Sequence, residues 1–337
     1  MINVKHIRLK RRILLAALLI AVVFSNGCSE KKEEKVYRVG VLWTGGQALG
    51  GILDSFKEKM TELGYTEEDN IFYDVCMAPN PVGNEQVVQK YVDEKVDMIF
   101  SFATEATIEA KKVAAGSGIP VAFTCTFIEG TGIIDSISNP GGNITGVRYP
   151  TTESATGRLE ILHEIAPHIK RVWVPYLKDY PTTSPQIETI EPIALELGVT
   201  LINTPFATPQ EVKNYIDEHA VSDDIEMDAV LMLAEPFSLT PEVLDVVYKF
   251  ADEHNLPISS FMVLKEAYGP VIGFHPTNAK MGSLAAIQAD KVLRGIPAGT
   301  LPVFTADNDL SINYKLVREL GLNVSEGLMA QACEITR

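Results

Sequence analysis

The sequence predicts an α/β protein built as two doubly wound parallel-sheet lobes. Three observations carry that prediction. A short apolar run, a Gly- or Ser/Thr-rich turn and an amphipathic segment recur between Tyr37 and Ser260. A turn cluster too dense for helix or strand, Asn139-Pro140-Gly141-Gly142-Asn143, cuts that series in two. A long helical pattern, Thr277–Leu293, and a stretch with Ser311–Leu320 remain after the second series. Strands alternating with helices give parallel sheets covered on both faces. Leftovers behind two such series are explained when the chain recrosses between lobes.

The elements follow in order. Lys5, Arg8, Lys10, Arg11 and Arg12 precede an apolar run from Ile13 to Phe24, then Ser25, Asn26, Gly27 and Cys28. A basic start, a short apolar core and small residues make residues 1–27 a secretion signal. Twelve apolar residues are too few for a spanning helix, which needs roughly 20. Beyond a polar tether, residues 28–36, Tyr37–Trp43 is the first predicted strand and TGGQALGG its turn. Ile52, Leu53, Phe56, Met60 and Leu63 then share one helical face. The unit repeats as Ile71–Cys76 with Glu85–Glu94, as Asp97–Ser101 with Glu105–Ala115, and ends in the strand Pro120–Thr124. It restarts as Arg171–Tyr176 with Pro185–Leu197, Val199–Asn203 with Pro209–His219, Asp228–Leu233 with Pro241–His254, and Leu256–Ser260.

Charge and composition exclude several classes. The whole chain carries −15, and the signal holds five basic residues and no acid, which leaves −20 on the remainder. Such a body is a poor nucleic-acid binder and is repelled by anionic headgroups. Cys76, Cys125 and Cys333 form no CxxC and no disulfide framework, and Cys76 and Cys125, at the ends of apolar runs, are expected buried. HExxH, GxSxG, GxGxxG and a Gly-Lys-Ser/Thr phosphate loop are all absent. His163 and His168 lie five apart, about 140° around a helix, so they cannot share a metal. His219 and His254 sit at helix ends, and His275 alone stands near the expected space between the lobes. No enzyme, cofactor or metal site is predicted.

The stretch Gly118–Val147, GIPVAFTCTFIEGTGIIDSISNPGGNITGV, resembles the ABC-transporter substrate-binding proteins of the tryptophan/tyrosine type. LGY near Leu63, KVDMIFSFAT, LEILHEIAPHIKRV, LRGIPAGTLPV and NYKLVRELGL extend the resemblance over essentially the whole mature chain. Cys28 behind its small residues likewise resembles a bacterial lipoprotein signal, although Ser25 stands where an aliphatic residue is usual. The resemblance implies the type I periplasmic-binding-protein fold, with three crossovers and a ligand cleft between the two lobes. Residues 37–147 plus about 276–305 then form the N-terminal lobe, and 148–275 plus about 306–337 the C-terminal lobe. It implies a small-molecule ligand, ABC permease subunits as partners, and membrane attachment through a lipid on Cys28, outside the cytoplasm. A ligand-sensing receptor feeding a signalling partner is the alternative.

Ligands of open parallel sheets sit beyond the carboxyl ends of strands, where helix N-termini present free N–H groups. That rule selects Trp43, Thr44, Gly45 and Gln47 after the first strand. Trp43 is either a flat cleft wall or a core tryptophan. Ser101, Phe102 and Thr104 follow the third strand, with Thr104 either lining the cleft or capping a helix. Thr124, Thr126 and Glu129 come next, and the second lobe offers Tyr176, Glu235, Phe261 and Phe274. Aromatic walls, hydroxyls and a carboxylate fit a zwitterion with a flat side chain, as the family's aromatic amino-acid binders imply. The family's Asp-Pro after the third-loop threonine is replaced by Phe127-Ile128-Glu129, and its Asp near the position of Met262 is missing. Unless Glu129 or Glu235 replaces them, an ammonium lacks its partner, and the ligand is then less cationic and more apolar than an amino acid.

Overall fold

The computed structural model describes residues 35–44, 46, 49–77, 81–222, 224–261 and 268–337, without the side chains of residues 81 and 82. The signal, Cys28 and the tether up to residue 34 lie outside the described residues, as do Gly45, Gln47 and Met262.

The chain opens with β1 (Tyr37–Trp43), α1 (Gly50–Glu62), β2 (Ile71–Met77), α2 (Pro81–Asp93), β3 (Met98–Phe102), α3 (Thr104–Val113), β4 (Val121–Thr126) and β5 (Ile144–Arg148). It continues with α4 (Thr151–Ile165), β6 (Arg171–Leu177), α5 (Thr183–Leu197), β7 (Thr200–Phe206), α6 (Pro209–His219), β8 (Ala229–Leu231), α7 (Pro241–Glu253), β9 (Ile258–Ser260) and β10 (Ile272–His275). The last elements are α8 (Asn278–Leu293), β11 (Phe304–Thr305), β12 (Asp309–Asn313), α9 (Tyr314–Glu319), α10 (Glu326–Gln331) and β13 (Ala332–Thr336).

Two sheets result. The first runs β11-β5-β4-β3-β1-β2, with every pairing parallel; the second runs β13-β12-β10-β9-β8-β6-β7. One pairing departs from the parallel expectation: β12 lies antiparallel to β10, with Ile312 opposite Ile272. The chain passes between the sheets after β5, after β10 and after β11.

Each sheet is covered on both faces. Along β1, Val39, Val41 and Trp43 enter one apolar cluster while Leu42 enters the opposite one. In the second sheet Val172 and Val174 of β6 face one cluster and Trp173 the other. This is the period-two alternation of a pleated strand buried twice. Central strands such as β3 and β5 expose nothing.

Strand β5 escapes a periodicity reading because its sequence, ITGVR, is short and turn-like. Tertiary contact requires that composition. A Cβ at Gly146 would stand 2.1 Å from the Phe123 carbonyl oxygen, so only glycine allows β5 to lie against β4 here. Thr145 donates its hydroxyl to the Leu301 carbonyl at 2.9 Å, tying β5 to the returning segment.

Helix α8 packs on α1 in the first lobe through Gly282, Ala285, Ala286 and Ala289, all buried. Thr277 caps it by accepting from the Lys280 amide. Cys76 and Cys125 are half-buried rather than buried, because each ends a strand at the rim of the first sheet; Cys333 is exposed.

Candidate functional site

The carboxyl ends of the strands of the first sheet face those of the second, and residues of both lobes share one apolar cluster there. Trp43 and Phe102 of the first lobe and Tyr149 of the crossover belong to it together with Ala234 and Phe261 of the second. The Trp43 indole stacks on Phe102 with ring centroids 5.1 Å apart, and its N–H donates to the Gly46 carbonyl at 3.3 Å. Trp43 is thus part of the first lobe's packing as well as a member of the interlobe cluster.

Three non-glycine residues at this edge have left-handed backbones: Ala103 at φ 66 after β3, Cys125 at φ 49 near the end of β4, and Asp179 at φ 59 after β6. Each such conformation costs about 1–3 kcal/mol and persists only where the surroundings impose it, which is common at ligand sites. The strain turns the β3–α3 loop so that Thr104 opens α3.

The first-lobe hydroxyls picked from sequence are brought together, but they serve one another. Ser101 Oγ meets Thr107 Oγ1 at 3.2 Å, Thr107 Oγ1 meets Thr126 Oγ1 at 2.9 Å, and Thr126 donates to the Thr124 carbonyl. Thr124 donates to the Met281 carbonyl at 3.2 Å, and Thr104 accepts from the Phe127 amide at 3.1 Å. Ser101, Phe102, Thr124 and Thr126 have no exposed surface. Their hydrogen bonds fix the ends of β3 and β4.

The two acidic candidates part company. Glu129 accepts from Arg148 Nη1 at 2.8 Å, and Arg148 also pairs with Glu153, so Glu129 already has its cation. Glu235 is 3% exposed; one oxygen, Oε2, accepts from the amides of Leu177 and Phe237, while Oε1 has no partner. Burial pushes its carboxyl up to about 8, against the opposing effect of those amides. A buried acid with one unpartnered oxygen beyond a strand end marks a candidate site, while its other oxygen caps the short helix that begins at Pro236.

Tyr176 and Phe274 do not join the group. Tyr176 is half-buried against the helix-covered face of β6, where its hydroxyl is raised by burial and then by Glu191. Phe274 lies over Gly157 of α4, where a Cβ would stand 2.4 Å from its ring, so the ring fills a gap inside the second lobe. Phe261 is 7% exposed and stands edge-on to His275, ring centroids 6.1 Å apart. Burial lowers the His275 imidazole to about 4.

Other residues at this edge were not found from sequence. Tyr180 donates its hydroxyl to Glu105 Oε1 at 2.9 Å, joining the loop after β6 to the first turn of α3. Thr182 and Thr183 at the start of α5 and Asn84 in the first turns of α2 carry buried side-chain atoms without hydrogen-bond partners, as does Thr44 after β1, which the sequence itself selects. Tyr149 and Arg158 do so as well. Arg158 did leave a signal: it sits on the stripe Thr151, Ser154, Ala155, Leu159, Leu162, Ile165, the buried face of α4. A charge on an apolar stripe marks either a paired ion or a ligand contact. For Thr182, Thr183 and Asn84 no local signal exists, because being unpartnered is a property of the folded neighbourhood.

Among the described residues no group of three or more His, Cys, Asp or Glu side chains is arranged to hold a metal, and no helix is long and apolar enough to cross a membrane.

Comparison with known proteins fits this architecture. A family model described as ABC transporter substrate binding protein matches residues 41–336. The chain belongs to this family. Among curated relatives, a tyrosine-binding protein of Clostridioides difficile strain R20291 is 24% identical over 270 residues, covering 79% of this chain and 75% of the relative. Among solved structures, a Streptococcus pneumoniae domain in complex with L-Trp superposes with a TM-score of 0.78 at 19% identity, covering 89% of this chain and all of the other. A conserved domain protein of Vibrio cholerae gives 0.76 at 21% identity, with 89% and 100% covered. These structural likenesses establish the fold, two α/β lobes of the periplasmic-binding type. A substrate-binding protein of this family binds its small molecule rather than transforming it, and works outside the cytoplasm.

Proposed function

We propose that this substrate-binding protein is the lipid-anchored receptor of an ABC importer and closes its lobes on an aromatic amino acid or a similar aromatic or apolar metabolite. Residues 37–147 with about 276–305 move as one body, and 148–275 with about 306–337 as the other. The observation that carries the ligand class is Glu235: a buried carboxyl with a free oxygen, next to Ala234 of the cluster that holds Trp43 and Phe261. A carboxylate beside rings suits an ammonium attached to a flat side chain. The C. difficile relative named for tyrosine and the pneumococcal domain crystallised with L-Trp support the same class. Cys28, placed after small residues and before a polar tether, is the lipid attachment point. An acidic body needs such an anchor to stay near the permease at high effective concentration.

A thermal-shift panel of amino acids and aromatic metabolites on residues 29–337 tests the ligand class. Tyrosine, tryptophan or phenylalanine at 100 times Kd stabilises by about 2.7 kcal/mol. In a chain of this size that raises the melting temperature by roughly 5 °C. If those three leave the melt unmoved while another class raises it, the aromatic assignment is wrong.

Closure has its own probe. The Tyr180–Glu105 hydrogen bond joins the two lobes, so Tyr180→Phe removes a contact made only when they meet. A hydrogen bond to a charged group contributes about 1.5 kcal/mol, hence roughly tenfold weaker ligand binding with an unchanged melt of each lobe. An affinity equal to wild type would show that this contact does not bias closure.

A further inference from the structure

Arg158 has no place in the ligand scheme above, and its surroundings are unusual. None of it is exposed. Its Nη atoms donate to the Phe274 carbonyl at 3.3 Å and to Gln186 Oε1 at 3.4 Å, both at the long end of hydrogen-bond range, and Nε has no partner. Arg148 and Arg171 each hold two carboxylates, whereas Arg158 forms no ion pair among the described residues. A buried guanidinium without an anion is costly, and burial lowers its affinity for the proton accordingly.

The buried Tyr149 hydroxyl lies beside that guanidinium and Ser154, close enough to interact with both but outside hydrogen-bond geometry with either. Tyr149 belongs to the first crossover. Its ring stands edge-on to Phe127 at 5.3 Å and packs in the cluster with Trp43 and Phe261. Gln186, which touches Arg158, also accepts from the Ala234 amide and donates to its carbonyl. Through Gln186 and Tyr149 the charged end of Arg158 is therefore one side chain away from the apolar cluster that the two lobes share.

We propose that Arg158 and the Tyr149 hydroxyl form the anion-recognising pair of the cleft, taking the carboxylate of the ligand on Arg158 Nε and Tyr149 Oη. This rests on the reading of the cleft as a binding site for an amino acid and assigns the carboxylate that shares the ligand's Cα with the ammonium read at Glu235. The alternative anchor, the N-terminus of α3, has the Glu105 carboxylate in its first turn and the Tyr180 hydroxyl upon it, and its neighbouring hydroxyls are already bonded to one another. A like charge there repels a carboxylate, whereas Arg158 lacks one.

Calorimetric titration of the purified protein with L-tyrosine and L-tryptophan, and with the carboxamide of each, tests the pair. Wild type is expected to prefer acid to amide by about 50-fold, since a charge-assisted contact is lost in the amide. Arg158→Gln should reduce that preference to less than about fivefold, Arg158→Lys should restore part of it, and Tyr149→Phe should lower it about threefold with the ring packing kept. Should Arg158→Gln fail to fold, the other two variants carry the comparison. An acid-to-amide ratio unchanged in the folded variants overturns the pair and leaves the aromatic-ligand reading intact. If wild type binds neither tyrosine nor tryptophan, that reading falls. The ligand found by thermal shift then decides the pair: one without an anionic group overturns it, and one whose anion is discriminated through Arg158 upholds it.

Discussion

Glu235→Gln is expected to weaken binding of an ammonium-bearing ligand about 100-fold, because truncating one partner of a buried charge pair costs 2–5 kcal/mol. It should also abolish the pH dependence of what binding remains. With its carboxyl pushed up to about 8, Glu235 is mostly protonated at pH 7 in the free protein. A cation beside Oε1 favours the ionised form, so ligand uptake expels close to one proton at neutral pH. Wild-type affinity then rises with pH by nearly tenfold per unit from about 6 and flattens near 8. Calorimetry in buffers of different ionisation enthalpy reads the proton directly, and a slope that survives in Glu235→Gln would assign it to another group.

The unliganded protein should respond in the opposite sense. The folded value of Glu235 lies above its ordinary value of 4.5, so the folded state holds the proton more tightly than the unfolded one. The stability this contributes is complete below about pH 4.5 and is lost as pH rises through about 8. His275 acts in reverse: its value is depressed to about 4, so its contribution is complete above 6.5 and is lost as pH falls through 4. Comparing Glu235→Gln with wild type at each pH cancels the His275 contribution and leaves the carboxyl's.

The largest stability effect is expected away from the cleft. A Cβ at Gly282 would stand 2.3 Å from the Ile52 carbonyl oxygen and 2.8 Å from the Phe56 amide nitrogen, both backbone atoms of α1. Backbone cannot swing aside as a side chain does, so α8 must lift from α1 and open the core beneath Ala285, Ala286 and Ala289. Helix propensity favours alanine over glycine by about 1 kcal/mol, which the clash outweighs. Gly282→Ala is expected to lose roughly 3 kcal/mol and Gly282→Val 5 or more, in the range of overpacked and disrupted cores. Urea unfolding followed by far-UV circular dichroism checks this. A midpoint for Gly282→Ala equal to wild type would mean that the two helices do not need so close an approach.

The sequence pattern made the strand–helix alternation legible because each strand's two buried faces and each helix's stripe are local properties. Strand β5 was not legible, since its glycine answers to Phe123 of a neighbouring strand, and the antiparallel β12 was hidden for the same reason. At the site, the rule that loops at strand carboxyl ends face the ligand picked out Trp43, Thr104, Glu235 and Phe261. It could not tell Glu235 from Glu129. That distinction depends on Arg148, which reaches Glu129 only once β5 lies beside β4. For Tyr176 the position beyond a strand is readable, but the face on which the pleat turns its ring, against the second lobe's apolar cluster, is not.

The interleaving of the two lobes also sets an order in time. Helix α8 completes the first lobe's core, yet it follows the whole βα series of the second lobe, and Tyr65 waits for Asp290, 225 residues later, to receive its hydroxyl. A ribosome delivering the chain from its N-terminus thus releases a first lobe with one side of α1 uncovered until residue 293 emerges. Native contacts of such long separation form late and slowly. The first lobe's core is therefore completed only after the second lobe's strand–helix series has been made.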